Sequence, residues 1–443
     1  MFRLIEKNLE QWFLKKPRMP VLITGARQVG KTYTVFKFGK EKFKDIIYIN
    51  FEENRRFKTF FEHSLNPNEL IPLFEAEFKR VINEDVLIFF DEIQACPSAL
   101  TSLKYFNEFR NDISIIASGS LLGVALNNKE ISFPVGKVIT YEMYPMNFKE
   151  FLIAIGREKA VEEIEKSYHE NKKMNPIIHE MLMKDYQNYL VVGGLPKSVS
   201  TFIETSSYLE SQKIIGNVYK DYLNDMNKYT TNLERLKILK IYQSIIGQLK
   251  KENKNFKYSF VEEKRNKQYF GSSILWLTSA NIVYESRKIN NINLPLSFHA
   301  DDYIFRLYLS DLGLFSHLSG TSLTNILNPN YRDDLLGIFT ENYVACEFSS
   351  RGIPLFYWVG KRISEIEFIV ELDEAAIPIE VKSGKNVYSR SIEQFLRENP
   401  KTKLVYKIAN KNFGFENNIK TIPLYAVFCL ADEILENKYK GIK

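Results

Sequence analysis

Short apolar runs alternate with helical stretches along the first part of the chain. The runs occupy residues 21–25, 46–52, 86–92, 113–120 and 137–146. Nearly continuous apolar strands separated by helices are typical of a parallel sheet that helices cover on both faces. The pattern therefore predicts an α/β sandwich at the start of the chain.

Further along, the pattern becomes helical and then mixed. The segment after residue 155 has helical periodicity and is interrupted by the turn "GGLP" at 193–196. The order helix, helix, helix, β-hairpin over 236–300 is typical of a winged helix-turn-helix, which contacts either nucleic acid or protein. An α+β pattern follows, with a helix expected over 341–352. We predict four domains, namely an α/β core (1–155), a helical lid (156–235), a winged helix (236–300) and an α+β domain (301–443).

Composition narrows the class of protein only slightly. The 443 residues are 45% hydrophobic and 26% charged, as in ordinary globular proteins. A formal charge of +6 permits contact with nucleic acid without arguing for it. The three cysteines form no CxxC pair, which argues against a disulfide framework or a zinc site. No signal-peptide pattern and no window of 18 apolar residues occurs, so we expect a cytoplasmic protein without a membrane segment.

The stretch "GARQVGKT" carries the first candidate chemistry. It fits the phosphate-loop pattern GxxxxGK[ST] between a strand and a helix. Such a loop wraps phosphates with backbone N–H groups, while its lysine reaches the β- and γ-phosphates and its hydroxyl binds Mg²⁺. The predicted ATP-binding residues are Gly25, Ala26, Arg27, Gln28, Val29, Gly30, Lys31 and Thr32.

Two later strands end in residues that would complete a hydrolytic site. The run "VLIFFDE" ends in Asp91, a candidate Mg²⁺ ligand together with Thr32, and in Glu92, a candidate base for the attacking water. The run "ISIIASGS" ends in Ser118 and Ser120, either of which could sense the γ-phosphate. The predicted catalytic residues are therefore Glu92, Lys31, Ser118 and Ser120, and the predicted cofactors are ATP and Mg²⁺.

Carboxylates in the α+β region suggest a second site. Glu380 and Lys382 stand two residues apart in an expected strand and so share one face of it. Glu367 lies in the preceding expected strand, and Glu341 is expected to open the helix before that strand. Carboxylates from neighbouring elements can hold Mg²⁺ while a lysine stabilises charge at phosphorus, as in metal-dependent nucleases. A solvated strand face with paired side chains is the competing interpretation.

Taken together, the motifs resemble prokaryotic AAA+ ATPases of the AAA_14 type that end in the domain of unknown function DUF4143. The resemblance rests on "GARQVGKT", "FFDEIQ", "YPMNFKEFL", "YLVVGGLP", "RLYLSDLGL", "EIEF" and "PIEVKSG". It implies a nucleotide-dependent enzyme or switch, with self-association if an arginine acts in trans. This chain has Gly136-Lys137 where the family usually has Gly-Arg, and lysine lacks the planar fork of arginine.

The C-terminal part also resembles the PD-(D/E)xK nuclease fold. The resemblance implies that Glu341 matches the helix acid, Glu367 the first strand acid, and Glu380 with Lys382 the ExK element. Aspartate is usual where Glu367 stands, and the longer side chain shifts the carboxylate from the position expected for cleavage.

Two functions follow from these patterns. The first is an Mg²⁺-dependent ATPase that couples its nucleotide state to a nuclease-like module able to contact DNA. The second is a signalling switch that hydrolyses ATP slowly and uses an inactive nuclease-like domain to bind a partner.

Overall fold

The computed structural model of the protein describes residues 1–120, 133–328, 334–361, 364–384, 390–438 and 440. Contacts divide the chain into two compact units. The first consists of Met1–Tyr144 with Ser279–Asn281, and the second of Pro145–Thr278 with Ile282–Lys443. Within the described ranges, no helix is both long enough and apolar enough to cross a membrane.

The first unit contains a parallel sheet of five strands. The strands are β1 (Val21–Thr24), β2 (Asp45–Asn50), β3 (Val86–Asp91), β4 (Ser114–Gly119) and β5 (Ile139–Glu142). Their order is β2-β3-β4-β1-β5, and all four pairings are parallel. This arrangement is typical of P-loop ATPases and confirms the predicted α/β fold of this region.

Helices connect these strands and cover the sheet. They are Ile5–Leu14, Lys31–Lys42, Arg56–His63, Pro67–Phe78 and Pro97–Phe109. Every residue of β3 and β4 is buried, which explains why both strands appear in the sequence as nearly continuous apolar runs. The ring of Phe90 on β3 packs against the rings of Phe51, Phe61, Phe74 and Phe106. The core thus holds β3 in place at the end that carries Asp91 and leads into Glu92.

The second unit begins with helices and then forms a mixed sheet. The helices before the sheet are Phe148–Ala154, Glu158–Glu170, Pro176–Val192, Pro196–Thr205, Tyr208–Tyr229, Asn232–Leu249, Tyr258–Val261 and Lys267–Ser279. The strands are β6 (Val283–Ile289), β7 (Ala300–Leu309), β8 (Leu355–Val359), β9 (Glu365–Leu372), β10 (Ala375–Lys382), β11 (Val405–Ala409), β12 (Gly414–Glu416) and β13 (Ile419–Pro423). The later helices are Leu312–Ser319, Leu323–Leu327, Asp334–Ser349, Arg390–Glu398 and Val427–Lys438.

The mixed sheet contains strands from two of the domains that the sequence predicts. Its order is β12-β13-β11-β10-β9-β8-β6-β7. The expected boundary after residue 300 therefore falls at the first residue of β7 (Ala300–Leu309), which pairs with β6, and β6 also pairs with β8. The hairpin expected to form the wing of a winged helix lies in this larger sheet.

One helix starts earlier than predicted. Glu341 does not open its helix, which begins at Asp334. The reason is that Leu335, Ile338 and Phe339 are buried at helical spacing and extend the apolar face toward the N-terminus. Glu341 consequently projects from the middle of the helix.

Candidate functional site

The loop between β1 and the helix Lys31–Lys42 depends on its two glycines. Gly25 has φ +144° and Gly30 has φ +96°, both in the region that favours glycine. A Cβ on Gly25 would lie 2.0 Å from the carbonyl oxygen of Met143. Gly30 caps the helix, so the N-terminal end of the helix faces the loop. The backbone therefore has the compact form that a phosphate cradle requires.

Lys31 lies against this loop. Its Nζ donates to the carbonyl oxygens of Gly25 at 2.9 Å and Ala26 at 2.8 Å. The residue is only 6% exposed, so its charge is held at the loop. A fixed ammonium at a helix N-terminus attracts anions.

Asp91 joins the loop to two strands of the sheet. Its Oδ2 accepts from Thr32 Oγ1 at 2.9 Å and from the Tyr48 hydroxyl at 3.1 Å. Its Oδ1 accepts from Ser118 Oγ. Burial, opposed by a hydrogen bond from Asn50 and assisted by the charge of Asp91, raises the pKa of Tyr48 to about 12. Tyr48 therefore remains a donor at neutral pH.

Glu92 is held by a different set of donors. Gln94 Nε2 donates to its Oε2 at 2.6 Å, and Ser120 Oγ donates to the same oxygen at 2.9 Å. Burial alone would raise the pKa of Glu92, but the bond from Gln94, the charge of Lys31, the bond from Ser120 and the charge of Arg27 together lower it. Glu92 is thus an ionised carboxylate beside the loop.

The two serines are therefore distinguished by their contacts. Ser118 contacts the candidate metal ligand Asp91, whereas Ser120 contacts the candidate base Glu92. Arg27 of the loop lies 3.5 Å from Ser120 Oγ and 3.6 Å from Glu52. Lys137 lies 3.0 Å from Glu108, in an ion pair within the same unit.

Sequence reasoning missed Tyr48 and Gln94. A tyrosine in an apolar strand resembles a packing residue, so Tyr48 carries no separate signal. Gln94 follows Glu92 by two residues in "FFDEIQ", and an amide this close to an acidic pair is a usable signal in the sequence.

A second group of charged residues lies in the other unit. One carboxylate oxygen each from Glu341, Glu365 and Glu367 lies within 4.8 Å of the other two. Glu365 and Glu367 share one face of β9, and Glu341 reaches them from the helix Asp334–Ser349. Strand alternation could have identified Glu365, which was not predicted. We call Glu341, Glu365 and Glu367 the carboxylate cluster.

The ExK pair lies beside this cluster. Lys382 Nζ is 3.2 Å from Glu380 and 3.9 Å from Glu367. Glu380 is fully buried and lies 3.6 Å from Lys407 on β11. Glu367 accepts from the backbone N–H of Val381 at 3.0 Å. Burial raises the pKa of Glu367, and the charge of Lys382 opposes that shift.

Two further cations, neither predicted, balance the carboxylates. Lys254 Nζ donates to Glu341 and, at 3.2 Å, to Glu365. Arg306 binds both oxygens of Glu365, at 2.8 and 2.6 Å. The four carboxylates of Glu341, Glu365, Glu367 and Glu380 therefore face four cations, Lys254, Arg306, Lys382 and Lys407. The chain itself therefore supplies as many basic as acidic side chains at this site.

Comparisons with known proteins identify three regions. Residues 17–152 match the AAA_14 family model, described as an AAA domain. Residues 183–325 match DUF8612 and residues 336–427 match DUF4143, both domains of unknown function. The resemblance inferred from the motifs is confirmed for the AAA and DUF4143 regions, while the likeness of DUF4143 to nucleases stays a prediction.

The proteins that are similar over most of the chain give little information about its function. An uncharacterized protein of Methanocaldococcus jannaschii is 25% identical over 356 residues, which are 74% of this chain and 73% of that protein. The Walker-type ATPase of Pyrococcus abyssi is 14% identical, with 71% of this chain and 94% of that chain covered and a TM-score of 0.43. The ORC2 protein of Aeropyrum pernix, solved as ADPNP-ADP complexes, is 13% identical, with 74% and 94% covered and a TM-score of 0.37.

Proposed function

We propose that this chain, which contains an AAA domain at residues 17–152 and a DUF4143 domain at residues 336–427, binds ATP with Mg²⁺ and hydrolyses it at the loop Gly25–Thr32. One observation carries the proposal. Asp91 accepts from Thr32 of the loop, while its neighbour Glu92 is an ionised carboxylate beside the same loop. The loop and the acidic pair therefore form one site.

Each residue has a role that its contacts support. Lys31 and the loop N–H groups bind the phosphates, because the Lys31 ammonium and the N-terminal end of the helix Lys31–Lys42 both lie at the loop. Thr32 and Asp91 supply the hard oxygen ligands that suit Mg²⁺, which when bound neutralises charge on the phosphates. Glu92 orients and deprotonates the attacking water. Ser118 and Ser120 hold the two carboxylates in place.

Nucleotide binding is the first test. We expect Lys31→Ala to weaken ATP binding by roughly 10- to 100-fold in titration calorimetry, because a hydrogen bond to a charged group contributes about 1.5–3 kcal/mol. The matched control is Lys40→Ala, which removes an exposed lysine from the same helix. Equal affinity in Lys31→Ala and the wild-type chain would refute the proposed loop.

The second candidate is a slow switch whose DUF4143 domain binds a partner without cleaving it. Two observations favour it. Lys254 and Arg306 already neutralise the carboxylate cluster, and Lys137 stands where the resemblance implies an arginine. Under this candidate the winged-helix region and the DUF4143 domain serve as contact surfaces for protein.

The effect of DNA on ATP turnover distinguishes the two candidate functions. The coupled ATPase predicts ATP turnover that rises severalfold with DNA, together with a change of molecular mass between nucleotide states if the chain self-associates. The switch predicts slow turnover that DNA leaves unchanged and a stable one-to-one complex with nucleotide. Phosphate release with and without DNA, alongside light scattering in each nucleotide state, decides between them.

A further inference from the structure

The carboxylate cluster in the structure differs from the set that the nuclease resemblance implies. The resemblance implies Glu341, Glu367 and Glu380 as acids. The carboxylate oxygens that lie within 4.8 Å of one another instead belong to Glu341, Glu365 and Glu367, whereas Glu380 pairs with Lys382 and Lys407. The centre of the acidic group is thus shifted along β9, toward Lys254.

Lys254 lies where these three acids can share one cation. Its ammonium bonds to Glu341 and Glu365, and the charge of Glu367 also acts on it. Burial lowers the pKa of Lys254, but the charges of the three carboxylates outweigh burial and raise it. The ammonium therefore remains charged and acts as the cation of the cluster.

The segment that carries Lys254 is fixed at several points. Asn255 Oδ1 accepts from the Tyr357 hydroxyl at 2.6 Å, and the N–H of Phe256 donates to the carbonyl of Phe305 at 2.8 Å. The N–H of Lys257 donates to Gln248 Oε1 at 2.7 Å. These bonds join the segment to β8, β7 and the helix Asn232–Leu249, so the position of Lys254 is built into the fold.

The carboxylate cluster also has an oxygen atom that a divalent cation could bind. Glu341 Oε2 is buried and has no hydrogen-bond partner within the described part of the chain. Glu341 is 5% exposed and lines a cavity of about 460 Å³ together with Lys254, Glu367 and Lys382. A buried carboxylate oxygen without a partner is costly, and a divalent cation would satisfy it.

We propose that Glu341, Glu365 and Glu367 form a cation site that the chain's own Lys254 occupies, so that a divalent cation binds there only in competition with this lysine. The site takes hard divalent cations, because its ligands are carboxylate oxygens. The ammonium repels an incoming ion and holds two of the three ligands. Glu365 is in addition engaged by Arg306. This proposal does not depend on ATP hydrolysis.

Manganese binding to the full-length chain without nucleotide tests the proposal. We expect Lys254→Met to bind one more Mn²⁺ per chain than the wild type in titration calorimetry, or to bind it about tenfold or more tightly, because a partly buried like charge has been removed. The gained site should disappear when Glu341→Gln is added, which places it at the cluster. Lys254→Arg keeps the charge and should bind Mn²⁺ as weakly as the wild type.

The control is Lys251→Met, which removes another lysine that lines the same cavity. The Lys251 ammonium lies over the Phe260 ring, 3.3 Å from its centroid. Its loss should leave Mn²⁺ binding unchanged.

Folding of the variants is monitored by circular dichroism. If Lys254→Met is destabilised, Mn²⁺ should raise its melting temperature more than that of the wild type, and Lys254→Gln, whose amide can still donate, gives a milder variant. The proposal is overturned if folded Lys254→Met or Lys254→Gln gains no Mn²⁺ site. It is equally overturned if the wild type binds Mn²⁺ at Glu341 as tightly as these variants do.

Discussion

At the scale of single residues, motif spacing predicted the charged groups at the nucleotide loop and the two serines beside them, but not Tyr48 and Gln94, which also bond to the acidic pair. Lys31, Thr32, Asp91 and Glu92 come together in one unit of the structure, as their order along the chain suggested. Gln94 was not predicted, although it donates to Glu92. A motif reports which side chains are present, whereas hydrogen bonds depend on backbone conformation, such as the φ of +51° at Glu92.

The cations at the carboxylate cluster were harder to predict. Lys254 stands in the run "KKENKNFK", where a lysine that is partly buried against carboxylates cannot be distinguished from the solvated ones around it. Arg306 lies in an apolar strand and is only 1% exposed. An arginine can be buried there because it pairs with Glu365, which is distant in the sequence. Pairing between residues this far apart in sequence leaves no local pattern.

Gln94 gives a prediction at this scale. Its amide stabilises the ionised form of Glu92 and so lowers the pKa of that carboxylate. We expect Gln94→Ala to raise this pKa, since the donor is lost, and to move the acidic limb of the rate profile to higher pH. ATP turnover measured across pH 5–9 would reveal the change. A profile that keeps its shape while the rate falls would mean that Gln94 has only a structural role. Gln11→Ala, at an exposed site on the first helix, should leave the profile unchanged.

At the scale of elements, apolar runs predicted the central strands well. β3 and β4 are buried throughout and end within one or two residues of the predicted positions. β5 spans Ile139–Glu142 and is shorter at both ends than the predicted run 137–146. β12 was not predicted, since two of its three residues are exposed and it has no apolar run.

Two motifs behind the family resemblance have a structural explanation at the same scale. The turn "GGLP" and the stretch "RLYLSDLGL" meet where Asp311 accepts from the N–H of Gly194 at 2.6 Å. Asp311 also caps the helix Leu312–Ser319. A Cβ on Gly193 would lie 2.5 Å from the backbone nitrogen of Gly313, so the two segments pack too closely for a side chain. These glycines and Asp311 therefore form a structural contact between two segments of the second unit rather than a catalytic site.

At the scale of the whole molecule, chain order suggested four domains, whereas contacts define two compact units. Part of the difference arises because β6 pairs with β8, bringing Ser286 beside Leu355. Such pairing joins residues from different predicted domains, and local periodicity contains no information about it. Each unit contains one of the two charged sites described above.

The central claim is that the first unit hydrolyses ATP through Glu92. Single-turnover cleavage of ATP, measured with Mg²⁺ and excess protein, tests it directly by comparing the wild type with Glu92→Gln. We predict that Glu92→Gln binds ATP with wild-type affinity but cleaves it about 10²- to 10⁴-fold more slowly, because an amide cannot accept the proton of the attacking water. Glu69→Gln, which changes an exposed carboxylate on the helix Pro67–Phe78, should cleave at the wild-type rate. Equal cleavage rates in Glu92→Gln and the wild type would contradict the claim.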